Sequence, residues 1–172
     1  MIKIFAGIIV IISCSGFGFV MASEIYARIK YLEKLKKLLI HLRSEINYAK
    51  TPLSQAFYSI ADRQEGVLKE FCLDMADKLE ELSGHMLGEL WILSVDSKIK
   101  NVPLKLCDID EFKMIGNRLG FQDYEMQLSA IDIEVQYLDE KISDLKAVIE
   151  QKQKIYRALG IFSGLMITIL FI

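Results

Sequence analysis

The residues that could do chemistry are few and scattered. His41 and His85 are the two histidines, and neither has a second metal ligand at helical spacing. Cys14, Cys72 and Cys107 show no Cys-x-x-Cys pair. Cys14 lies in an apolar run and Cys72 in an apolar helical pattern that suits a buried thiol. Glu80-Glu81 and Asp139-Glu140 fall on polar helical faces, where solvation is the ordinary role. Asp108 and Asp110 flank a helix start, and capping accounts for the first. No Gly-rich loop ends in Gly-Lys-Ser or Gly-Lys-Thr to cradle a phosphate, and no Gly-x-Ser-x-Gly elbow is present. No catalytic, cofactor-binding or metal-ligating residue is therefore assigned, and the chain reads as a non-enzyme that needs no cofactor.

The elements that would position any site are set by hydrophobicity. Of the 172 residues, 52% are hydrophobic, and these gather at the two ends. Residues 4–22 carry no charge, and about 19 helical residues reach ~28 Å, close to the ~30 Å hydrocarbon core of a bilayer. Residues 158–172 are likewise uncharged but reach only ~22 Å. Tyr156 and Arg157 extend that stretch with an interfacial ring and a snorkelling cation. The expected division is a transmembrane helix over 1–22, a soluble domain over 23–157 and a second transmembrane helix over 158–172. Small residues in the spans are candidates for close helix contact: Gly16 and Gly18 in the first, and the Gly160-x-x-x-Gly164 spacing in the second.

Charge orients this arrangement. Between Glu24 and Arg157 lie all 23 Asp and Glu and, apart from Lys3, all 21 Lys and Arg, for a net charge of −3. That balance offers no basic stripe for nucleic acid. Arg28, Lys30, Lys34, Lys36, Lys37 and Arg43 follow the first span, and Lys141, Lys146, Lys152, Lys154 and Arg157 precede the second. The positive-inside rule places the middle domain in the cytoplasm. Two export readings compete: a signal-peptidase site at Val20-Met21-Ala22 and a loose lipoprotein box at Ile11-Ile12-Ser13-Cys14. The cations directly after the run oppose both.

The middle reads as all-α, a bundle of about six helices. Ile25, Leu32, Leu35, Leu39, Leu42, Ile46 and Ala49 keep heptad spacing, and the first helix is expected to continue directly from the membrane. Thr51 as N-cap and Pro52 at the first helical position restart the chain into a second helix with Leu53, Ala56, Phe57 and Ile60, ending near Gly66. A third helix carries Val67, Phe71, Met75, Leu79 and Leu82 up to Ser83-Gly84, and a fourth carries Leu87, Leu90, Trp91 and Ser94. Trp91 sits in an apolar stripe and is read as core. After a break at Asn101-Val102-Pro103, a short helix is expected from Asp108, with Glu111 in capping-box spacing, to Leu119-Gly120. The last helix should run from about Asp123 with Tyr124, Leu128, Ile131, Val135, Leu138, Ile142, Leu145 and Ile149 as its seam. One long helix leaves the membrane and the other returns, so the two are expected to pair antiparallel.

Two segments resemble the stage III sporulation protein AB family. They are Glu45-Ile46-Asn47-Tyr48-Ala49-Lys50-Thr51-Pro52-Leu53 and Lys154-Ile155-Tyr156-Arg157-Ala158-Leu159-Gly160; Trp91, Leu119-Gly120 and Gln127 fall at matching places between them. The resemblance spans essentially the whole chain, though 66–105 matches poorly apart from Trp91. It implies a role in endospore formation, in the mother-cell membrane around the forespore, within a multiprotein channel complex. It also implies a soluble domain similar to the cytoplasmic domains of type II secretion and type IV pilus platform proteins. The implied partners are other membrane subunits of the channel, a cytoplasmic secretion-type ATPase and the lipid bilayer.

On this reading the corner after the first helix is the candidate docking surface: Tyr48, Lys50, Thr51, Pro52, Leu53 and Gln55. About 27 residues from Ser23 to Ala49 carry that corner ~40 Å from the membrane. The plainer role for Pro52 and Leu53 is to fix the turn, whereas the hydroxyl of Tyr48 suits a partly wet site. The competing function is a membrane-tethered coiled-coil scaffold or signalling protein that homo-oligomerises through its heptads. Pairing of the seams within one chain discriminates between the two.

Overall fold

The computed structural model describes the backbone of residues 2–49, 52–81, 86–119 and 124–171, and the side chains of 23–48, 52–81, 86–119, 125–152 and 155. Six helices follow one another: α1 (Ile2–Ala49), α2 (Leu53–Ala61), α3 (Val67–Glu80), α4 (Leu87–Lys98), α5 (Leu106–Leu119) and α6 (Tyr124–Phe171). Among the described residues there is no strand. The chain divides into two compact units, residues 31–140 and residues 1–30 with 141–172.

In the unit of 31–140 the heptad helices pair within one chain. Lys36 Nζ lies 2.6 Å from Asp139 Oδ1, and Arg43 grips Asp132 with two hydrogen bonds of 2.5 and 2.9 Å. The partners move seven residues forward on α1 and seven backward on α6, which is an antiparallel register one heptad long. Between these pairs Leu32, Leu35, Leu39 and Leu42 of α1 and Ile131 and Leu138 of α6 are buried, as the heptads predict. Leu38 is buried too, although it lies off the heptad stripe. A helix covered on two sides buries a wider face than a two-helix seam. The seams are thus used inside one chain, against the homodimerising coiled coil.

The short helices pack around an aromatic cluster. Trp91 is fully buried, and its indole contacts Phe57, Phe71 and Phe112 with ring centroids 6.2, 5.1 and 5.1 Å away. Its Nε1 donates to the Phe112 carbonyl at 2.8 Å, which satisfies the one polar atom of the ring. Gly116 makes this approach possible, because a Cβ there would stand 2.4 Å from Trp91 Cβ. Cys72 is buried as expected, and burial pushes its thiol up to about 12.

Three boundaries differ from the sequence reading. α2 begins at Leu53, so Pro52 stands at the N-cap with extended backbone (φ −52°, ψ 142°) rather than at the first helical position; its carbonyl accepts from Ala56 N at 3.2 Å. Thr51 lies outside the described residues. α2 also stops at Ala61, well short of Gly66. Arg63 N and Gln64 N close onto the carbonyls of Ile60 and Ala61, and Gly66 takes φ +60° to launch α3. Finally, α5 begins at Leu106, not Asp108. Asp108 is instead the third residue of that helix, and its Oδ2 accepts the backbone N–H of Lys105 at 2.9 Å. The carboxylate serves as the reaching-back half of a capping box, one turn inside the helix it was expected to start. Asn101, at φ 55°, turns the chain in the break before α5, a conformation asparagine tolerates.

In the other unit Ile29 and Ile142 are buried and the Lys30 ammonium lies 5.0 Å from the centroid of the Tyr26 ring. Among the described residues no helix is long and apolar enough to cross a membrane. The apolar stretches 4–22 and 158–171 have helical backbone within α1 and α6, but their side chains lie outside the described residues. The same holds for the surroundings of Gly16, Gly18, Gly160 and Gly164.

Candidate functional site: the corner at the end of α1

The α1–α2 corner is pinned from beneath. Ser59 Oγ donates to Glu45 Oε1 at 2.8 Å, and Arg63 Nη2 stands 3.8 Å from the same oxygen. Leu53 tucks into a tight apolar crevice with Leu42, Ile46, Phe57, Leu87 and Leu119. Leu53 therefore fixes the turn. Tyr48, by contrast, is 82% exposed, and Pro52 and Gln55 are exposed as well. Lys50 and Thr51 lie outside the described residues. Of the six candidates the structure brings Tyr48, Pro52 and Gln55 to the surface and assigns Leu53 to packing.

The crevice under Leu53 also locates its neighbours. Leu87 begins α4, and Gln127, which lines the same crevice, lies near the start of α6. The residues just before them, Met86 and Met126, are 77% and 51% exposed. The end of the bundle at which α1 stops thus carries a rim of exposed Tyr48, Pro52, Met86 and Met126. A tyrosine and two flexible methionines make an adaptable apolar contact surface. Sequence reasoning missed both methionines. An isolated methionine at a helix start has no pattern of its own, and only the fold shows that Met86 and Met126 share an end with Tyr48.

The remaining polar clusters tie helices together. Lys78 Nζ lies 2.6 Å from Asp74 Oδ2 and 2.9 Å from Ser94 Oγ, and Lys98 Nζ is 3.7 Å from Asp74. A serine beside a lysine is the beginning of a nucleophilic pair. Here, however, Ser94 is fully buried in α4 and Lys78 is ion-paired with Asp74, so the group latches α3 to α4. Burial opposes ionisation of Asp74. The hydrogen bonds with Lys78 and Ser94 and the charges of Lys78 and Lys98 outweigh it, holding this carboxyl below its usual range. The depressed value makes the latch a stabilising feature that is fully present above the ordinary carboxylate range, near ~3.9, and lost as pH falls through the lower folded-state value. Asp74→Asn is expected to cost about 1–3 kcal/mol at neutral pH. Thermal melts of parent and variant should converge as pH falls from about 4 through the lower folded-state value; a gap that persists unchanged below that value contradicts the latch. Between α2 and α3, Tyr58 donates to Asp77 at 2.7 Å, and that bond, with partial desolvation and the charges of Asp77 and Glu80, raises its hydroxyl to about 12. His41 is half-buried on α1 and His85 lies outside the described residues. Among the described residues no cluster of three or more His, Cys, Asp or Glu could hold a metal ion.

Fold and surface together define an all-helical bundle with an exposed, partly apolar rim at the end of α1. The family model for stage III sporulation protein AB matches residues 3–172, and the chain belongs to that family. Stage III sporulation protein AB of Bacillus subtilis (strain 168) is 24% identical over 170 residues, covering 99% of each chain. A solved structure of stage III sporulation protein AB (SpoIIIAB) aligns with TM-score 0.65 and 23% identity, over 72% of this chain and 97% of that one. The family places the chain in sporulation, and the structural likeness shows the shared fold.

Proposed function

We propose that the chain is a non-enzymatic platform subunit of a sporulation channel complex, which docks a cytoplasmic secretion-type ATPase to membrane subunits of the channel. Residues 4–22 and 158–172 anchor it in the mother-cell membrane around the forespore, and the helices between them face the cytoplasm, where the flanking cations hold them. The observation that carries the docking role is Tyr48. A tyrosine this exposed contributes little to folding, yet it stands on a pinned corner with Pro52, Met86 and Met126 around it. The corner's rigidity reduces the entropy lost when a partner binds.

Tyr48→Glu and Gln55→Lys test this. Both positions are exposed, so melting of the full chain in detergent should stay within about 0.5 kcal/mol of the parent. Binding to the ATPase should weaken about tenfold or more, and spore counts should fall with it. Parental binding and normal sporulation in both variants would reduce the corner to architecture.

A further inference from the structure

A second surface lies away from the corner. A groove of about 300 Å³ runs between α5 and α6, lined by Glu111, Met114, Arg118, Ile133, Glu134 and Tyr137. The adjoining crevice against α1 holds only about 10 Å³, so the groove is the one of the two that can admit side chains. Met114 and Ile133 are 52% and 62% exposed on opposite walls. The walls are braced at both ends: Tyr137 donates to Glu111 at 2.6 Å, and Arg118 pairs with the buried Glu134. These two contacts run in opposite senses along the helices, so α5 and α6 are antiparallel. Glu111 of α5 therefore shares one end of the groove with Glu140 of α6, which lies about one turn beyond Tyr137. That end is acidic; Met114 lies about one turn further along α5, and Ile133 about two turns from Glu140 on α6.

The outer face of α1 has the opposite character. Lys36 and Arg43 are taken by α6, but Lys34 and Lys37 are exposed and have no ion-pair partner among the described residues. Ile40, one turn beyond Lys37, is 42% exposed. Two cations followed by an isoleucine on one helix match an acidic groove end followed by Met114 and Ile133, in sign and in order.

We infer that a second copy of this chain docks its α1 face, Lys34, Lys37 and Ile40, into the acidic-to-apolar groove between α5 and α6. The two patches differ, so the contact is head-to-tail. A docked pair still offers one free groove on one copy and one free α1 face on the other, and association continues into arcs or rings rather than stopping at a pair. Tyr48 and the corner take no part in it.

The test uses the full chain in detergent micelles, followed by sedimentation against concentration. The parent should associate beyond dimers by about 100 µM, and raising salt to about 0.5 M should weaken this. The double variant Lys34→Glu, Lys37→Glu loses one patch and Ile133→Glu loses the other, and each alone should associate at least about tenfold more weakly. Parental melting curves are expected for both, since all three side chains are exposed. Mixing the two variants should restore association, but only to one-to-one dimers, because a single intact groove and a single intact α1 face remain. A parent that stays monomeric overturns the inference. So do variants that associate like the parent, as contact through the apolar ends would produce, and so does a mixture that forms no dimers.

Discussion

Trp91→Ala is expected to destabilise the bundle by about 3–5 kcal/mol, the range for deleting a large buried aromatic. The indole is fully buried, and Phe57, Phe71 and Phe112 bring α2, α3 and α5 onto it, so its loss opens a cavity shared by four helices. The Phe112 carbonyl also loses the indole N–H. In a domain of this size such a loss lowers Tm by more than about 10 °C. Trp91→Phe keeps part of the ring volume and should fall between the two. A melt of Trp91→Ala within about 2 °C of the parent would mean that this cluster is not the core of the short helices.

Leu39→Asp should be comparably damaging. Leu39 is fully buried in the α1–α6 seam, and a carboxylate there is taken out of water, a cost of several kcal/mol. The neighbouring residue supplies the control. Ile40 points about 100° away around the helix and is 42% exposed, so Ile40→Asp should shift stability by no more than about 0.5 kcal/mol. The contrast is read by circular dichroism melts of the two variants side by side. Equal melting of both would place the seam outside the core.

These two residues illustrate what the sequence reveals and what it withholds. The seams of α1 and α6 are visible as heptads because burial recurs at one period along a helix. Trp91 is visible as core because it lies in such a stripe. Leu38 is not, since its burial comes from helices that pack on a second side of α1, and a single period cannot encode two neighbours. Asp108 looked like an N-cap because Asp and Glu stood three residues apart. The real partner of its carboxylate is the backbone of Lys105, which carries no side-chain signature. Glu134 stands beside the seam residue Val135 and is buried nonetheless, because its partner, Arg118, comes from another helix and is set by how α5 lies against α6. At the corner the phenolic hydroxyl already sets Tyr48 apart from Leu53, but nothing in the sequence marks Pro52 as exposed.

The proposed docking role of the corner is tested most directly by a photo-cross-linking amino acid at position 48 of the full chain, in sporulating cells, with the same probe at exposed Lys69 of α3 as the control. Cross-linked products are identified by mass spectrometry. The account predicts that position 48 captures the nucleotide-hydrolysing subunit and position 69 does not. Capture of that subunit equally from both positions, or from neither while the chain remains folded and in its complex, would contradict it.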